Sequence, residues 1–459
     1  MQSDHDFVIL LEEKTARFRP MRLFKGIITA NILYPLAEKL ENRNVLAKKR
    51  EIQRYFRLNK STRKKIIHTN LMRVVRAANE RVPYYRDLFA KINFDLDKLQ
   101  LDPKYLQDIP ILTKDIILDQ GARMLSSPLE SQKFHDCKTG GSTGKSCHIY
   151  YDQEAADYSS AVTLYCRTRV GNSAHESEVH FACNLPDSGT SSKMGKDDYK
   201  SIVMNRSNIF FDQLDNASLG NIWQKLVRRK PFMAHAHPST MYALACYIQE
   251  RYDSQKAFEV FESSGELLEP YMRQAISSAL NCQVVDRYGL AEFGVIGYEF
   301  HGPEVGMQLL DSEGWAESVP MDGEDIHQQF VFTGFRNSLM PLIRYQTGDI
   351  AKVEERENGF FMTNVTGRIH DMIEINGIQH ATHYIQDILD HRVGGIQEFQ
   401  IDTRFNKPLL RILPAMGSSK DDLANKIRYY WKDAFDIEFV GNDGLIKVGE
   451  RAKFRHVVT

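Results

Sequence analysis

The chain has 459 residues, long enough for two or more domains, and a globular composition of 42% hydrophobic and 26% charged residues without low-complexity tracts. Its 59 basic and 60 acidic residues nearly cancel, which excludes a global attraction to nucleic acid or to an anionic membrane. Six scattered cysteines (Cys137, Cys147, Cys166, Cys183, Cys246 and Cys282) form no C-x-x-C pair, as expected of reduced thiols in a cytoplasmic protein without structural zinc.

The first hundred residues read as helical. Met1 to Asp6 is polar and acidic, unlike a signal peptide. Leu23 to Ala37 is apolar but interrupted by Lys25 and Asn31, and too short to span a bilayer. It reads as a buried or surface-attached helix, with peripheral membrane contact left open. The basic clusters Lys48-Lys49-Arg50 and Arg63-Lys64-Lys65 follow helical spacing and read as solvated faces. Ile67, Leu71, Val74 and Ala78 share one face of a helix that Pro83 closes.

Residues 139–145 read Thr-Gly-Gly-Ser-Thr-Gly-Lys. Such a loop can fold closely around an oxyanion, offering N–H groups and hydroxyls while Lys145 adds positive charge. The spacing is not that of a Walker A loop, and the run precedes a short β stretch, Cys147 to Tyr151. It reads as a phosphate-gripping loop of another class, or as an ordinary Gly/Ser/Thr surface turn. Beyond it, helical signals (Met241, Leu244, Ala245, Ile248; Tyr271, Met272, Ala275, Ile276, Ala279) alternate with apolar runs at Ala257–Phe261 and Gln283–Val285. That alternation predicts sheets covered by helices. Near residue 367 the texture changes to the size and pattern of a small α+β domain. Its last helix carries a candidate capping box, Ser419-x-x-Asp422, and an apolar stripe of Leu423, Ile427, Tyr430, Trp431 and Ala434.

Further segments follow the glycine loop in order: Ser263-Ser264-Gly265-Glu266, Asp286-Arg287-Tyr288-Gly289-Leu290-Ala291-Glu292, Met340–Asp349, Thr366-Gly367-Arg368-Ile369-His370-Asp371, and Ala452-Lys453-Phe454-Arg455. With these the chain resembles the adenylate-forming superfamily of acyl-CoA synthetases, adenylation domains and luciferases, over roughly residues 70–459. Val82-Pro83-Tyr84-Tyr85-Arg86 and Ile109-Pro110-Ile111-Leu112-Thr113-Lys114 resemble the phenylacetate-CoA ligase branch and its capsule-biosynthesis, CapK-like relatives.

The resemblance implies an α/β fold: a large N-terminal domain of helix-covered β-sheets plus a small mobile α+β C-terminal domain. The expected division is a helical region at 1–100, a large core at 101–367 and a lid at 368–459. It implies ATP-dependent activation of a small-molecule carboxylic acid to an acyl-adenylate, then acyl transfer, coenzyme A being the expected acceptor. An amine or hydroxyl acceptor and a non-catalytic nucleotide-binding scaffold are the alternatives; no nucleic-acid partner is expected. By the same resemblance Thr139, Gly140, Gly141, Ser142, Thr143, Gly144 and Lys145 would hold the phosphates. Gly265, Glu266, Asp286, Arg287, Tyr288 and Gly289 would line the adenine pocket. Asp349 would accept the ribose hydroxyls, Arg368 would reach ribose or phosphate, and Glu292 would help hold Mg²⁺. Lys453 would neutralise charge in the transition state, with Lys447 and Arg451 as rivals and Ala452 departing from the usual glycine. His370 and Asp371 would form the hinge. Arg344 reads as structural. His235 and His237, spaced for a metal pair, read instead as wall or core residues of the acyl pocket before the helix opened by Pro238-Ser239, with His180 to Gly189 facing the same cavity.

Overall fold

A computed structural model describes residues 19–138, 147–183, 196–211, 214–321, 324–366, 372–375, 378–381, 385–386, 388–415, 417–441, 444–448, 453–454 and 456–458. The described residues open with helix α1 (Arg19–Ile28), a π turn (Thr29–Leu33) and α2 (Tyr34–Leu40), followed by α3 (Val45–Tyr55) and the long α4 (Lys60–Arg81). Asn59 caps α4 by accepting from the Thr62 N–H, and the face predicted from spacing, Ile67, Leu71, Val74 and Ala78, is buried. Pro83 both ends this helix and opens the next, α5 (Pro83–Lys91), because its fixed φ and missing N–H suit a first helical turn.

Strands β1 (Phe134–Lys138) and β2 (His148–Asp152) form an antiparallel hairpin whose paired ends, Lys138 and His148, bracket the glycine loop. Asp152 then caps α6 (Gln153–Arg169). The half of the main sheet that follows is parallel. β3 (Glu178–Cys183), β4 (Arg206–Phe211), β5 (Met233–Ala236), β6 (Val260–Ser263) and β7 (Gln283–Leu290) lie in the spatial order β4-β3-β5-β6-β7. Crossover helices α7 (Asn216–Arg229), α8 (Pro238–Tyr252) and α9 (Pro270–Leu280) pack on one face against Phe261 and Val284, while α3 and α6 cover the other against Met233, Val260 and Val285. A parallel sheet covered on both faces is the arrangement that its short apolar strands require.

At β7 the sheet changes character. Its first half pairs parallel with β6 and its second half antiparallel with β8 (Gly294–Tyr298). The sheet continues through β9 (Met307–Leu309), β13 (Gly359–Thr366), β12 (Tyr345–Arg356), β11 (Glu324–Gly334) and β10 (Gly314–Met321), all antiparallel, making eleven strands among the described residues. After a short hairpin, β14 (Met372–Ile375) with β15 (Ile378–Ala381), comes a smaller C-terminal α+β unit. It contains β16 (Ile396–Asp402), β17 (Leu409–Pro414), α10 (Lys420–Trp431), β18 (Asp436–Phe439) and β21 (Val457–Val458), with a core of its own built on Ile401, Leu410, Ile412, Ile427 and Trp431. Ser419 caps α10 through the Asp422 N–H, as its sequence predicts. A two-stranded ribbon, β19 (Lys447–Val448) with β20 (Lys453–Phe454), precedes the last strand.

Thus the structure has the large sheet-rich domain and the small C-terminal α+β domain expected from the resemblance. Among the described residues, no helix is long and apolar enough to cross a membrane.

The helical region is fastened to the sheet by polar contacts inside its apolar core. Tyr85, 1% exposed, donates its hydroxyl to the Pro341 carbonyl and accepts the Ile343 N–H, both at 3.0 Å. Leu112 donates to the Arg344 carbonyl and accepts from the Gln346 N–H. Tyr85→Phe keeps the ring but leaves two buried backbone groups unpaired, so it should lower stability by about 2 kcal/mol. Chemical denaturation would measure this, and a loss below about 0.5 kcal/mol would show that the hydroxyl does not fasten the segment.

Candidate active site

The change from parallel to antiparallel pairing leaves a cleft at the carboxyl end of β6 and along β7, where ligands bind in open α/β sheets. Its volume is about 190 Å³, and its lining includes Gly265, Glu266, Asp286, Arg287, Tyr288, Gly289, Glu292 and Asp349. Every described residue assigned to nucleotide or metal from the sequence is therefore in one cleft. Leu290, Ala291 and Thr347, from the same segments, and Leu267, Met307 and Val365, which carry no motif signal, complete its lining.

Gly265 follows β6 with a φ of +87°, which L side chains rarely adopt, and a Cβ there would run into the His237 ring. Glu266 closes the start of α8: its Oε2 accepts the Ser239 N–H at 3.1 Å and its Oε1 the Ser239 hydroxyl at 3.0 Å. A carboxylate at a helix start is held there by unpaired N–H groups and the helix dipole. His237 Nδ1 lies 3.6 Å from Glu266 Oε1. The predicted Pro238-Ser239 opening of this helix therefore holds Glu266, which lines the cleft, in place.

Asp349 reaches the cleft through an irregularity in β12. Gln329 and Val331, two apart on β11, pair with Ile350 and Gln346, four apart on β12, so two extra residues bulge out. Gly348 takes a φ of +86°, and the Thr347 hydroxyl donates to the Phe330 carbonyl while accepting the Asp349 N–H. The Tyr288 hydroxyl donates to Asp349 Oδ2 at 2.6 Å. Burial first, and the Asp349 charge second, hold the Tyr288 hydroxyl well above its ordinary range, so it remains a donor.

Glu292 lies on the boundary with a second cavity of about 320 Å³, which Ala291 and Glu292 also line. It is 9% exposed, and its Oε1 accepts the Tyr345 hydroxyl at 2.6 Å. Cys137, next to the end of β1, is pushed up to about 11 by burial, with Glu292 adding to the effect. The hairpin that brackets the glycine loop therefore ends within electrostatic reach of Glu292. The loop residues Thr139, Gly140, Gly141, Ser142, Thr143, Gly144 and Lys145 lie outside the described residues, as do Arg368 and the hinge pair His370 and Asp371. Lys453 is described only as a strand position: Val448 pairs with Lys453 and Lys447 with Phe454, which puts the rival lysines at neighbouring, non-equivalent positions of one ribbon. Arg344 is structural, as expected. It is buried, pairs with Glu317 and donates to the Gln107 and Ile109 carbonyls.

Beneath the cleft lies a charge network that sequence reading missed. Arg167 of α6 donates through Nη1 to Glu178 at 2.8 Å and through Nη2 to Glu262 at 2.6 Å, all three being buried. Glu262 also accepts the Tyr298 hydroxyl at 2.7 Å, lies 2.8 Å from His235 Nδ1 and is 3.7 Å from Arg287. Burial would raise the Glu262 carboxyl, but Arg167 and then His235 hold it well below the usual range. Burial lowers both histidines, His180 to about 3, so both imidazoles are neutral near pH 7. The only sequence signal was a glutamate inside the apolar strand Val260-Phe261-Glu262-Ser263; its arginine partner is 95 positions away. Among the described residues no cluster of three His, Cys, Asp or Glu could hold a metal, and His235 faces a carboxylate of the network.

No protein-family model matches the chain, and the curated proteins contain no match. Among solved structures the fold is similar to that of 2-hydroxyisobutyryl-CoA ligase. An open conformation in complex with 2-HIB-AMP and CoA aligns with a TM-score of 0.53 and 19% identity, over 88% of this chain and 92% of that one. The thioesterification state with the same two ligands gives 0.54 and 19%, over 87% and 90%. At this identity the likeness is one of fold.

Two predictions follow from the charges. Arg167→Met leaves two carboxylates buried without their cation and should cost about 3–5 kcal/mol. Lys at this position should restore little, because the forked guanidinium bridges both acids at once; a thermal melt of Arg167→Lys close to that of the parent protein would contradict this. Burial, opposed by Arg273, lifts Asp286 from the ordinary 3.8 to about 7. Since the folded state then binds the extra proton, stability falls as pH rises between these values, by at most about 1.4 kcal/mol per unit. Asp286→Asn should flatten that fall, and denaturation at pH 5 and pH 7 would detect an unchanged slope.

Proposed function

We propose that the protein activates a carboxylic acid with ATP and passes the acyl group to a thiol, coenzyme A being the expected acceptor. The observation that carries this reading is the gathering of Glu266, Asp286, Tyr288, Glu292 and Asp349, from three separate sequence segments, around one cleft at the sheet's change of pairing. The fold likeness to a ligase structure containing an acyl-AMP and CoA supports it. So do the two segments that resemble the phenylacetate-CoA ligase branch, because Tyr85 and Leu112 brace the run from Pro341 to Gln346 that leads into Asp349.

In the proposed reaction a carboxylate oxygen attacks the α-phosphorus of ATP, the bond from that phosphorus to the bridging oxygen breaks, and pyrophosphate leaves. The thiol sulfur, having lost its proton, then attacks the acyl carbon and AMP departs with the electron pair of the broken C–O bond. Tyr288 offers a flat face to the base and, with Asp349, a donor–acceptor pair that a ribose diol can enter. The residues 139–145 and Lys453 are assigned to the phosphates and to the charge that builds up at the α-phosphorus. Glu292 would hold Mg²⁺, which supplies neutralisation of phosphate charge. A single carboxylate suits an ion that draws its other ligands from phosphates and water. Residues 368–459 would act as the lid, turning about His370 and Asp371 between the two half-reactions.

The acid itself has a polar substituent in this reading. Arg287, expected from the resemblance at the adenine, is placed on the acid side in this reading: it lines the cleft with Glu262 3.7 Å behind it, and the neutral His235 and His180 rings, 4.7 Å apart, follow behind Glu262. A buried wall of donors and acceptors discriminates against a plain alkyl or aryl chain, which would leave those groups unpaired.

The test is pyrophosphate release by the full chain with Mg-ATP over hydroxy, amino, uronic, aryl and fatty acids, with and without coenzyme A. Release should depend on the acid, favour the hydroxylated members and yield a thioester only with coenzyme A. Asp349→Ala should raise the KM for ATP by about tenfold or more while acid preference stays unchanged. Silence across the panel despite ATP binding would favour a scaffold; acyl transfer to an amine or hydroxyl in place of the thiol would correct the acceptor.

A further inference from the structure

The N-terminal helices carry an apolar face that is exposed among the described residues. Met21, Phe24, Ile27, Ile32, Leu36 and Leu40 are all exposed, Phe24 to 65% and Leu40 to 72%. Scattered exposed apolar residues are ordinary, but these share one side. In an uninterrupted helix, advancing about 100° per residue, Leu36 and Leu40 would stand roughly 120° and 160° round from Phe24. The π turn at Thr29–Leu33 is wider and advances less per residue, which brings both back toward the side of Phe24 and Ile27. One irregular turn thus converts two helices into one continuous apolar strip.

The opposite side is fixed to the protein body. Gly26, Thr29 and Ala37 are buried, and a Cβ at Gly26 would run into the His175 carbonyl oxygen, so the helix sits as close as a backbone allows. Arg22 Nη1 donates to the Lys230 carbonyl at 2.8 Å. The strip is therefore mounted facing outward on a fixed support.

Its charges have one sign over most of its length. From Arg19 to Ala37 the sequence has no acid; Arg22 is turned to the protein body, which leaves Lys25 as the described cation beside the strip there. Beyond that, Lys39 is exposed, Glu38 accepts the Leu46 N–H through Oε1, and Glu41 is the exposed acid at the far end. An apolar strip bordered by cations fits the interface of an anionic bilayer, where rings and aliphatic chains enter the acyl boundary and long cationic side chains reach phosphates. Two copies of this face would instead bring like charges together.

We propose that residues 19–40 dock the protein peripherally on an anionic membrane surface. This inference does not depend on the chemistry proposed above. Full-length protein would be sedimented with vesicles of phosphatidylcholine alone or mixed with phosphatidylglycerol. Expected is partition onto the anionic vesicles that falls with salt, and a decrease of at least about tenfold for Phe24→Ser/Ile32→Ser. These side chains are exposed, so the circular dichroism and melting of the variant should match the parent. Should the double variant melt early, Leu36→Ser alone and Lys25→Glu/Lys39→Glu would each have to weaken binding. The proposal is overturned by absence of binding to both vesicles, by equal and salt-insensitive binding to both, or by variants that bind undiminished. A concentration-dependent dimer in light scattering that Phe24→Ser/Ile32→Ser dissolves would equally overturn it, assigning the strip to a second copy.

Discussion

The constraint on which this molecule depends is the double pairing of β7. Its first four residues, Gln283 to Asp286, lie parallel to β6, and the next four, Arg287 to Leu290, antiparallel to β8. The two ladders use opposite edges of β7 and do not overlap: the ladder to β6 stops at Asp286, and the ladder to β8 begins at Arg287. On the parallel side β6 ends at Ser263, and Gly265 turns the chain away at a positive φ. The cleft is the space left by that divergence. Asp286 is the last residue of the parallel half and Tyr288 lies in the antiparallel half, so the strand that causes the opening also supplies its walls.

A cleft placed over such a seam has strand ends that its own ladder does not hold. The Arg167 network holds them from below, tying α6 to β3 through Glu178 and to β6 through Glu262, with Tyr298 reaching in from β8. Two arginines, Arg167 and Arg287, face two carboxylates, Glu178 and Glu262, so the buried charges balance while both histidines are neutral. Such a network is demanding, because removal of any one member strands the others in a low-dielectric setting. Its contribution is to fix the relative positions of three strands where backbone bonding stops.

What could be read from the sequence follows the range of the interaction. The face Ile67, Leu71, Val74 and Ala78 and the cap of α10 are local patterns of three and four residues, and both appear where their spacing puts them. The cleft residues were legible for a different reason: glycine, tyrosine and carboxylates stand in the order of the family that the chain resembles. The glutamate of the buried network was not legible, because its meaning depends on an arginine 95 residues earlier. Nor was the bulge that carries Asp349 inward, since Gln346-Thr347-Gly348-Asp349 reads as an ordinary turn until its pairing with β11 is known. Pro83 was read as an ending and is also a beginning, because the same missing N–H serves both. The π turn at Thr29–Leu33 has no sequence signature, and only the exposed residues on either side of it reveal what it does.

These contacts differ in strength in a way that bears on how a lid could operate. Tyr85, Arg344 and Arg167 hold the cleft through bonds shielded from water, each costly to break. The hairpin bracketing the glycine loop meets the C-terminal unit differently: Lys138 pairs with Asp390 at 2.8 Å, with both side chains between a quarter and a third exposed. An ion pair of that exposure is worth at most about 1 kcal/mol, because water and salt compete for both charges. A proposed swing of residues 368–459 would thus exchange a cheap contact and leave the costly ones intact. The Asp349 bulge, the Tyr288 hydroxyl and the Glu292 carboxylate would stay in register while the small domain changed partners above them. In the proposed reading the large domain alone would read an acid with a polar substituent, because Arg287 and the histidines behind Glu262 belong to that domain.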